Sequence, residues 1–283
     1  MFLLERAALP PDTRVMPPWM ISLRNAAALG LAASATSFAA IAPYSEDFES
    51  VAVGNNAVSN FTESNTSMYT IVQDSILGDQ NYRASLSANS GALNGSSAIS
   101  IPSLAGSEFT ISTQFRINSF TTTSGSTINL GLGILGDNPN FSTGNQYRIL
   151  FTVTSSTVAE HGAINIQENG TTFASQARGA GIGVELGVDY LLSVTGTYSG
   201  STISLLARAT RLDTMASTTT TVTDATPPSG EYFGYRTALN AVSGTASESI
   251  DYDNFAAVPE PGSAMLLCGA LGLLAAGRRR SAR

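Results

Sequence analysis

Residues 109–117 read Phe109-Thr110-Ile111-Ser112-Thr113-Gln114-Phe115-Arg116-Ile117, with apolar side chains at most odd positions and polar ones at every even position. A β-strand turns successive side chains to opposite faces, so this alternation describes a ribbon with one face in a core and the other in water. No comparable helical period runs through the middle of the chain.

Outward from this strand, further β-rich segments lie at Tyr147 to Val153, Ile164 to Gln167, Leu192 to Thr197, Ile203 to Ala209 and Ile250 to Phe255, with Gly, Asn and Ser clusters between them. Two hairpins are marked by their turn residues. Asn169-Gly170, between Glu168 and Thr171, is the pair a type I′ turn requires, and Ser199-Gly200-Ser201 separates two β-rich runs. Ser217-Thr218-Thr219-Thr220-Thr221 suits an exposed edge strand. About ten to thirteen strands at this spacing predict an all-β fold, an antiparallel β-sandwich or jelly roll. No fixed-period repeat suggests a propeller or solenoid.

The 216 residues from Pro43 to Val258 suffice for one such domain with a core of its own. The single cysteine, Cys268, rules out an intrachain disulfide and a cysteine-rich zinc site. Charged residues make up 12% of the chain, and all 14 basic residues are arginine. Within 43–258 there are 18 acidic and 7 basic side chains, a balance that repels nucleic acid.

Both ends read as processing segments. From Met20, Arg24 supplies a positive n-region, Ala26 to Ala35 an apolar h-region and Ser37-Phe38-Ala39 a small-residue cleavage site, so residues 1–42 are expected to be leader and signal peptide, with Met20 as the start and the h-region as a signal helix. At the other end, residues 259–283 comprise Pro259-Glu260-Pro261, an apolar run from Ser263 to Gly277, then Arg278, Arg279, Arg280 and Arg283. The run predicts a short apolar helix below the ~20 residues of a comfortable span, held at the cytoplasmic face by its arginines. Transient membrane contact is the expectation.

This tail resembles the PEP-CTERM sorting signal in its Pro-Glu-Pro triplet, apolar helix and basic terminus. The resemblance implies exosortase as a processing partner, and export to the cell surface or extracellular polysaccharide matrix of a Gram-negative bacterium. The middle of the chain resembles concanavalin-A-like and laminin-G-like jelly rolls in three places: Glu46-Asp47-Phe48-Glu49, Tyr190 to Tyr198, and Ile250-Asp251-Tyr252-Asp253-Asn254-Phe255. That resemblance implies first and last strands side by side and a concave face where relatives bind sugars.

Some such jelly rolls are glycosidases with carboxylates aligned on one strand face, and retaining hydrolysis needs two of them ~5 Å apart. Glu248-Ser249-Ile250-Asp251-Tyr252-Asp253 breaks the alternation, placing Glu248 and Asp251 on opposite sides, so these acids read as surface or metal-binding groups. A structural calcium would draw on Asp47, Glu49, Asp251 and Asp253, provided a bulge near Phe255 brings the last two to the rim; calcium takes about 6–8 oxygen ligands. The alternative is acids splayed into water. His161, the only histidine, sits in an expected loop with no nucleophile identified beside it. Tyr147, Tyr198, Tyr232 and Tyr235 could supply rings for sugar binding, although ordinary packing suits them as well. Three functions remain open: a non-catalytic surface or matrix protein, a carbohydrate-binding module for exopolysaccharide, and an extracellular glycosidase. No catalytic residue is identified.

Overall fold

The computed structural model describes residues 43–260, apart from 56, 57, 59, 66, 67, 74–78, 122–125, 155–160, 177–180 and 243. The expected signal helix and the C-terminal apolar helix, with Pro261, Arg278, Arg279 and Arg280, lie outside the described residues.

The described residues form an antiparallel β-sandwich, with one short 3-10 turn at Pro102–Leu104. Its strands are β1 (Tyr44–Glu46), β2 (Thr62–Glu63), β3 (Tyr69–Gln73), β4 (Gln80–Ala88), β5 (Gly91–Ser100), β6 (Phe109–Thr121), β7 (Thr127–Gly136), β8 (Tyr147–Thr154), β9 (His161–Glu168), β10 (Thr171–Ser175), β11 (Ile182–Gly183), β12 (Asp189–Ser199), β13 (Thr202–Arg211), β14 (Ser217–Asp224), β15 (Tyr232–Ala241) and β16 (Ala246–Pro259). One sheet runs β14-β13-β12-β6-β16-β4-β3 with β1 beside β16; the other runs β10-β9-β8-β7-β15-β5-β2 with β11 beside β9. Sixteen strands exceed the ten to thirteen expected, partly because β1, β2 and β11 are only two or three residues long.

Burial follows the alternation that predicts β6: Phe109, Ile111, Thr113, Phe115 and Ile117 are buried and the residues between them are half-buried. Each apolar ring closed off in this way contributes about 1.5–3 kcal/mol. Between the sheets, Phe48, Phe61, Tyr69, Tyr82, Tyr235, Tyr252 and Phe255 form one aromatic cluster, with Tyr235 and Tyr252 ring centroids 4.6 Å apart. Three of its four hydroxyls find partners inside the core: Thr237 Oγ1 lies 2.8 Å from Tyr252 Oη and 3.3 Å from Tyr69 Oη, and Tyr82 Oη lies 2.8 Å from Ser97 Oγ, while Tyr235 Oη has none among the described residues. Buried hydroxyls need such partners.

The two hairpins have the backbone their residues predict. Asn169 and Gly170 both take positive φ, 50° and 81°, with Glu168 opposite Thr171. Gly200 takes φ 62° in the two-residue loop between β12 and β13, at the position that a type II′ turn reserves for glycine. The threonine run opens β14, an edge strand of its sheet. His161, expected in a loop, instead begins β9 opposite Gly183.

Candidate binding faces of the sandwich

β1 pairs antiparallel with β16, Tyr44 opposite Ala257 and Glu46 opposite Phe255. A bulge does interrupt β16 near Phe255. Against β6 its register moves from Asp253 opposite Gln114 to Ala256 opposite Ser112, and Asn254 absorbs the extra residue at φ 50°. Asn254 then donates to Asp253 from its backbone N and from Nδ2, both at 2.7 Å.

The four acids considered for calcium do not form one ligand set. Asp251 turns to the outer face, where Arg83 donates Nε at 2.6 Å and Nη2 at 2.8 Å to its two carboxylate oxygens. Glu49 accepts the Gln80 backbone N–H at 2.6 Å, and Asp47 accepts that of Glu49 at 3.2 Å. Asp253 does lie in the field of this group: burial, aided by the charges of Glu49, Asp47 and Asp79, pushes its carboxyl up to about 6. Among the described residues no three His, Cys, Asp or Glu side chains converge as metal ligands. With Asp251 engaged by Arg83, these four acids are not gathered as a single site among the described residues.

Around Asp251 the register explains the outer face of this sheet. Asp251 stands opposite Arg83 on one side and Arg116 on the other, and Arg116 in turn opposite Asp189, giving a row of alternating charge across β4, β16, β6 and β12. Arg116 donates to both Asp189 oxygens, at 2.7 and 2.9 Å. A cleft of about 130 Å³ beside this row is lined by Asp79, Asn81, Gln114, Asp253 and Asn254. The row's own charges are paired, Arg83 with Asp251 and Arg116 with Asp189.

Glu248 is the correction on β16. Expected as a surface or metal-binding acid, it points between the sheets with Ile250 and Tyr252, 3% exposed, and neither carboxylate oxygen has a hydrogen-bond partner. Burial pushes its carboxyl well above the usual range, only partly countered by the charge of Arg236.

The tyrosines do not form a platform. Tyr147 and Tyr235 are fully buried, Tyr147 donating to the Asp224 carboxylate, so neither offers a ring to a sugar. Tyr198 and Tyr232 are half-buried and belong to different sheets.

The second sheet carries a different outer face. Its register lines up Asn94, Ala238, Asn129 and Thr152 across β5, β15, β7 and β8, then Ser96, Arg236, Gly131, Leu150 and Asn165 in the next row. Arg148 and Gln167 stand opposite each other one row further, beside Gly133. Thr152 Oγ1 donates to Asn129 Oδ1 and accepts from Asn165 Nδ2, both at 2.7 Å. At one end, residues 137–146 fold over the sheet. Phe141 packs on Gly133, where a Cβ would come within 2.2 Å of its ring, and the Phe141 N–H donates to Ser96 Oγ at 3.1 Å. What stays open is a groove of about 170 Å³ lined by Asn94, Asn129, Arg148, Gln167, Arg236 and Asn240, with Leu150 and Ala238 among its walls.

None of these groove residues stands out along the chain. The signal that could find them is a polar side chain in the outward phase of a strand whose inward phase is apolar, as Arg148 is in Tyr147-Arg148-Ile149. Only the cross-strand register assembles them.

Residues 257–281 match the PEP-CTERM protein-sorting motif. The motif implies export through exosortase and surface association in Gram-negative bacteria. No curated protein matches the chain. Among solved structures, the chain is similar to lectin I from Ulex europaeus in complex with the methyl glycoside of α-L-fucose, at 12% identity and TM-score 0.49 over 76% of this chain and 98% of that one. It is also similar to the CBM2 module of the evolved Dit of Lactobacillus casei BL23 phage J-1, at 12% identity and TM-score 0.48 over 76% and 93%. Peanut lectin gives 13% identity and TM-score 0.42 over 77% and 98%. The lectins among these neighbours are concanavalin-A-like jelly rolls.

Proposed function

We propose that this chain is an exported, non-catalytic protein of the cell surface or extracellular matrix, and that the outer face of its second sheet binds carbohydrate, with exopolysaccharide as its partner. The observation that carries this reading is the row of amides and hydroxyls fixed across adjacent strands there, joined by the Asn165 to Thr152 to Asn129 hydrogen bonds. Sugar hydroxyls are recognised by such paired donors and acceptors, and rigid strands hold them in place without an ordering cost at binding. Glu248 and Asp251 occupy opposite faces of β16, which argues against a hydrolytic carboxylate pair on that strand. The sorting motif supports delivery to a polysaccharide-rich surface.

A glycan array probed with the full chain tests the reading. Binding to bacterial polysaccharides that weakens at least tenfold in an Asn129→Ala variant of unchanged melting midpoint is the expected result. An array without binding overturns it, as does release of reducing sugar from any bound polymer.

A further inference from the structure

Two arginines in the groove differ from the other described ones. Arg83 is bound to Asp251, Arg116 to Asp189, and Arg211 to Glu185 and Asp213, while Arg208 donates to Ser217 at 3.0 Å. Arg148 and Arg236 pair with no carboxylate among the described residues. Arg236 is 5% exposed; its Nη1 donates to Thr237 O at 2.5 Å and its Nη2 to Asn94 Oδ1 at 2.6 Å. Its Nε has no acceptor, and neither has the buried Nε of Arg148.

The carboxyl acting on Arg236 from behind the sheet is Glu248, whose burial favours its neutral form. Burial lowers both guanidinium pKa values, and the charge of Arg148 helps bring Arg236 down to about 10. Both groups are nonetheless charged at neutral pH. A buried and a half-buried cation without a counter-ion carry an uncompensated desolvation cost, and an anion that presents its oxygens to the groove-facing side of the guanidinium groups relieves it.

We propose that the groove is a subsite for a carboxylate-bearing sugar, the uronate unit of an acidic polysaccharide, with its carboxylate held by Arg148 and Arg236. The volume of about 170 Å³ is well below that of a drug-sized pocket and suits one ring. Leu150 and Ala238 give that ring an apolar contact, and Asn129, Gln167 and Asn240 meet its hydroxyls. The inference rests on the carbohydrate reading and specifies the class of sugar. An acidic domain recognises an acidic polymer here because two neighbouring guanidinium groups in this groove have no carboxylate partner among the described residues.

The test compares polygalacturonate with its fully methyl-esterified form, the same backbone without the charge, binding to the full chain by titration calorimetry. Polygalacturonate is expected to bind at least tenfold tighter. Arg148→Gln is expected to erase that preference, with circular dichroism reporting an unchanged fold, and 0.5 M NaCl is expected to act on the wild type in the same direction. Equal binding of the two polymers, or an undiminished preference in Arg148→Gln, overturns the uronate subsite while the wider carbohydrate reading stands. If neither polymer nor any arrayed glycan binds, both fall. Because Arg236 is buried, Arg236→Lys serves as a second variant: it keeps the charge but loses the planar fork, and is expected to weaken polygalacturonate selectively.

Discussion

At the scale of single residues, four acids, Glu63, Glu168, Glu248 and Asp253, hold their protons more tightly in the folded chain than in the unfolded one. Burial pushes Glu63 up to about 7 despite the hydrogen bond it accepts from Tyr82, pushes Asp253 up to about 6, and raises Glu168 and, well above the usual range, Glu248. A carboxyl whose folded pKa exceeds its unfolded value contributes most below the unfolded value, and that contribution is lost as pH rises through the folded one. The sandwich is therefore expected to be most stable near pH 4 and to lose a few degrees of melting midpoint by pH 8, at roughly 2–4 °C per kcal/mol. Glu248→Gln removes the acid that has no partner for either oxygen. Its midpoint is expected to exceed the wild type's by about 2–4 °C at pH 8 and to match it at pH 4. Equal midpoints at pH 8 would remove Glu248 from the account. Sequence alone could not place this glutamate, since Glu248-Ser249-Ile250-Asp251 offers acids in both phases and only the paired strands decide which one faces the core.

Among the elements, those that alternate cleanly were legible and those buried on both faces were not. β6, β8, β12 and β13 each carry a polar and an apolar phase, and the alternation in Phe109 to Ile117 located one of them directly. β7 is covered on both sides only at its far end, where Phe141 packs on Gly133, and its outward phase there is glycine rather than a polar side chain, which weakens the alternation to read. The bulge in β16 belongs to the same class of hidden feature: nothing in Asp253-Asn254-Phe255 announces it except the tolerance of asparagine for left-handed backbone. That tolerance yields a test. Asn254→Gly keeps the φ of 50° accessible and is expected to stay within about 0.5 kcal/mol of the wild type, whereas Asn254→Val is expected to cost about 1–3 kcal/mol. Urea unfolding with an unchanged m-value measures both, and a valine variant as stable as the glycine variant would mean that the bulge relaxes away.

For the molecule as a whole, the sequence places the sandwich and the sorting tail on either side of a boundary at Val258, yet the folded chain does not part there. β16 lies between β6 and β4, takes β1 along part of its length, and continues through Pro259, which stands opposite Phe109. Glu260 follows: its backbone N–H donates to Glu108 O at 3.0 Å, and its carboxylate accepts Thr110 Oγ1 at 2.6 Å. The first two residues of the Pro-Glu-Pro motif are thus held by the sandwich, and Thr110 joins them to Thr195 on β12 at 2.8 Å. A chain ended after Val258 gives up both hydrogen bonds and the end of a strand pair, while a chain ended after Glu260 keeps them. At about 0.5–1.5 kcal/mol for each hydrogen bond, the longer form is expected to melt a few degrees above the shorter one. Thr110→Val in the longer form removes the donor to Glu260 and is expected to erase about half of the difference. Identical midpoints for the two truncations would show that the motif leaves the sheet at Val258 in solution, and would restore the boundary to where the sequence puts it.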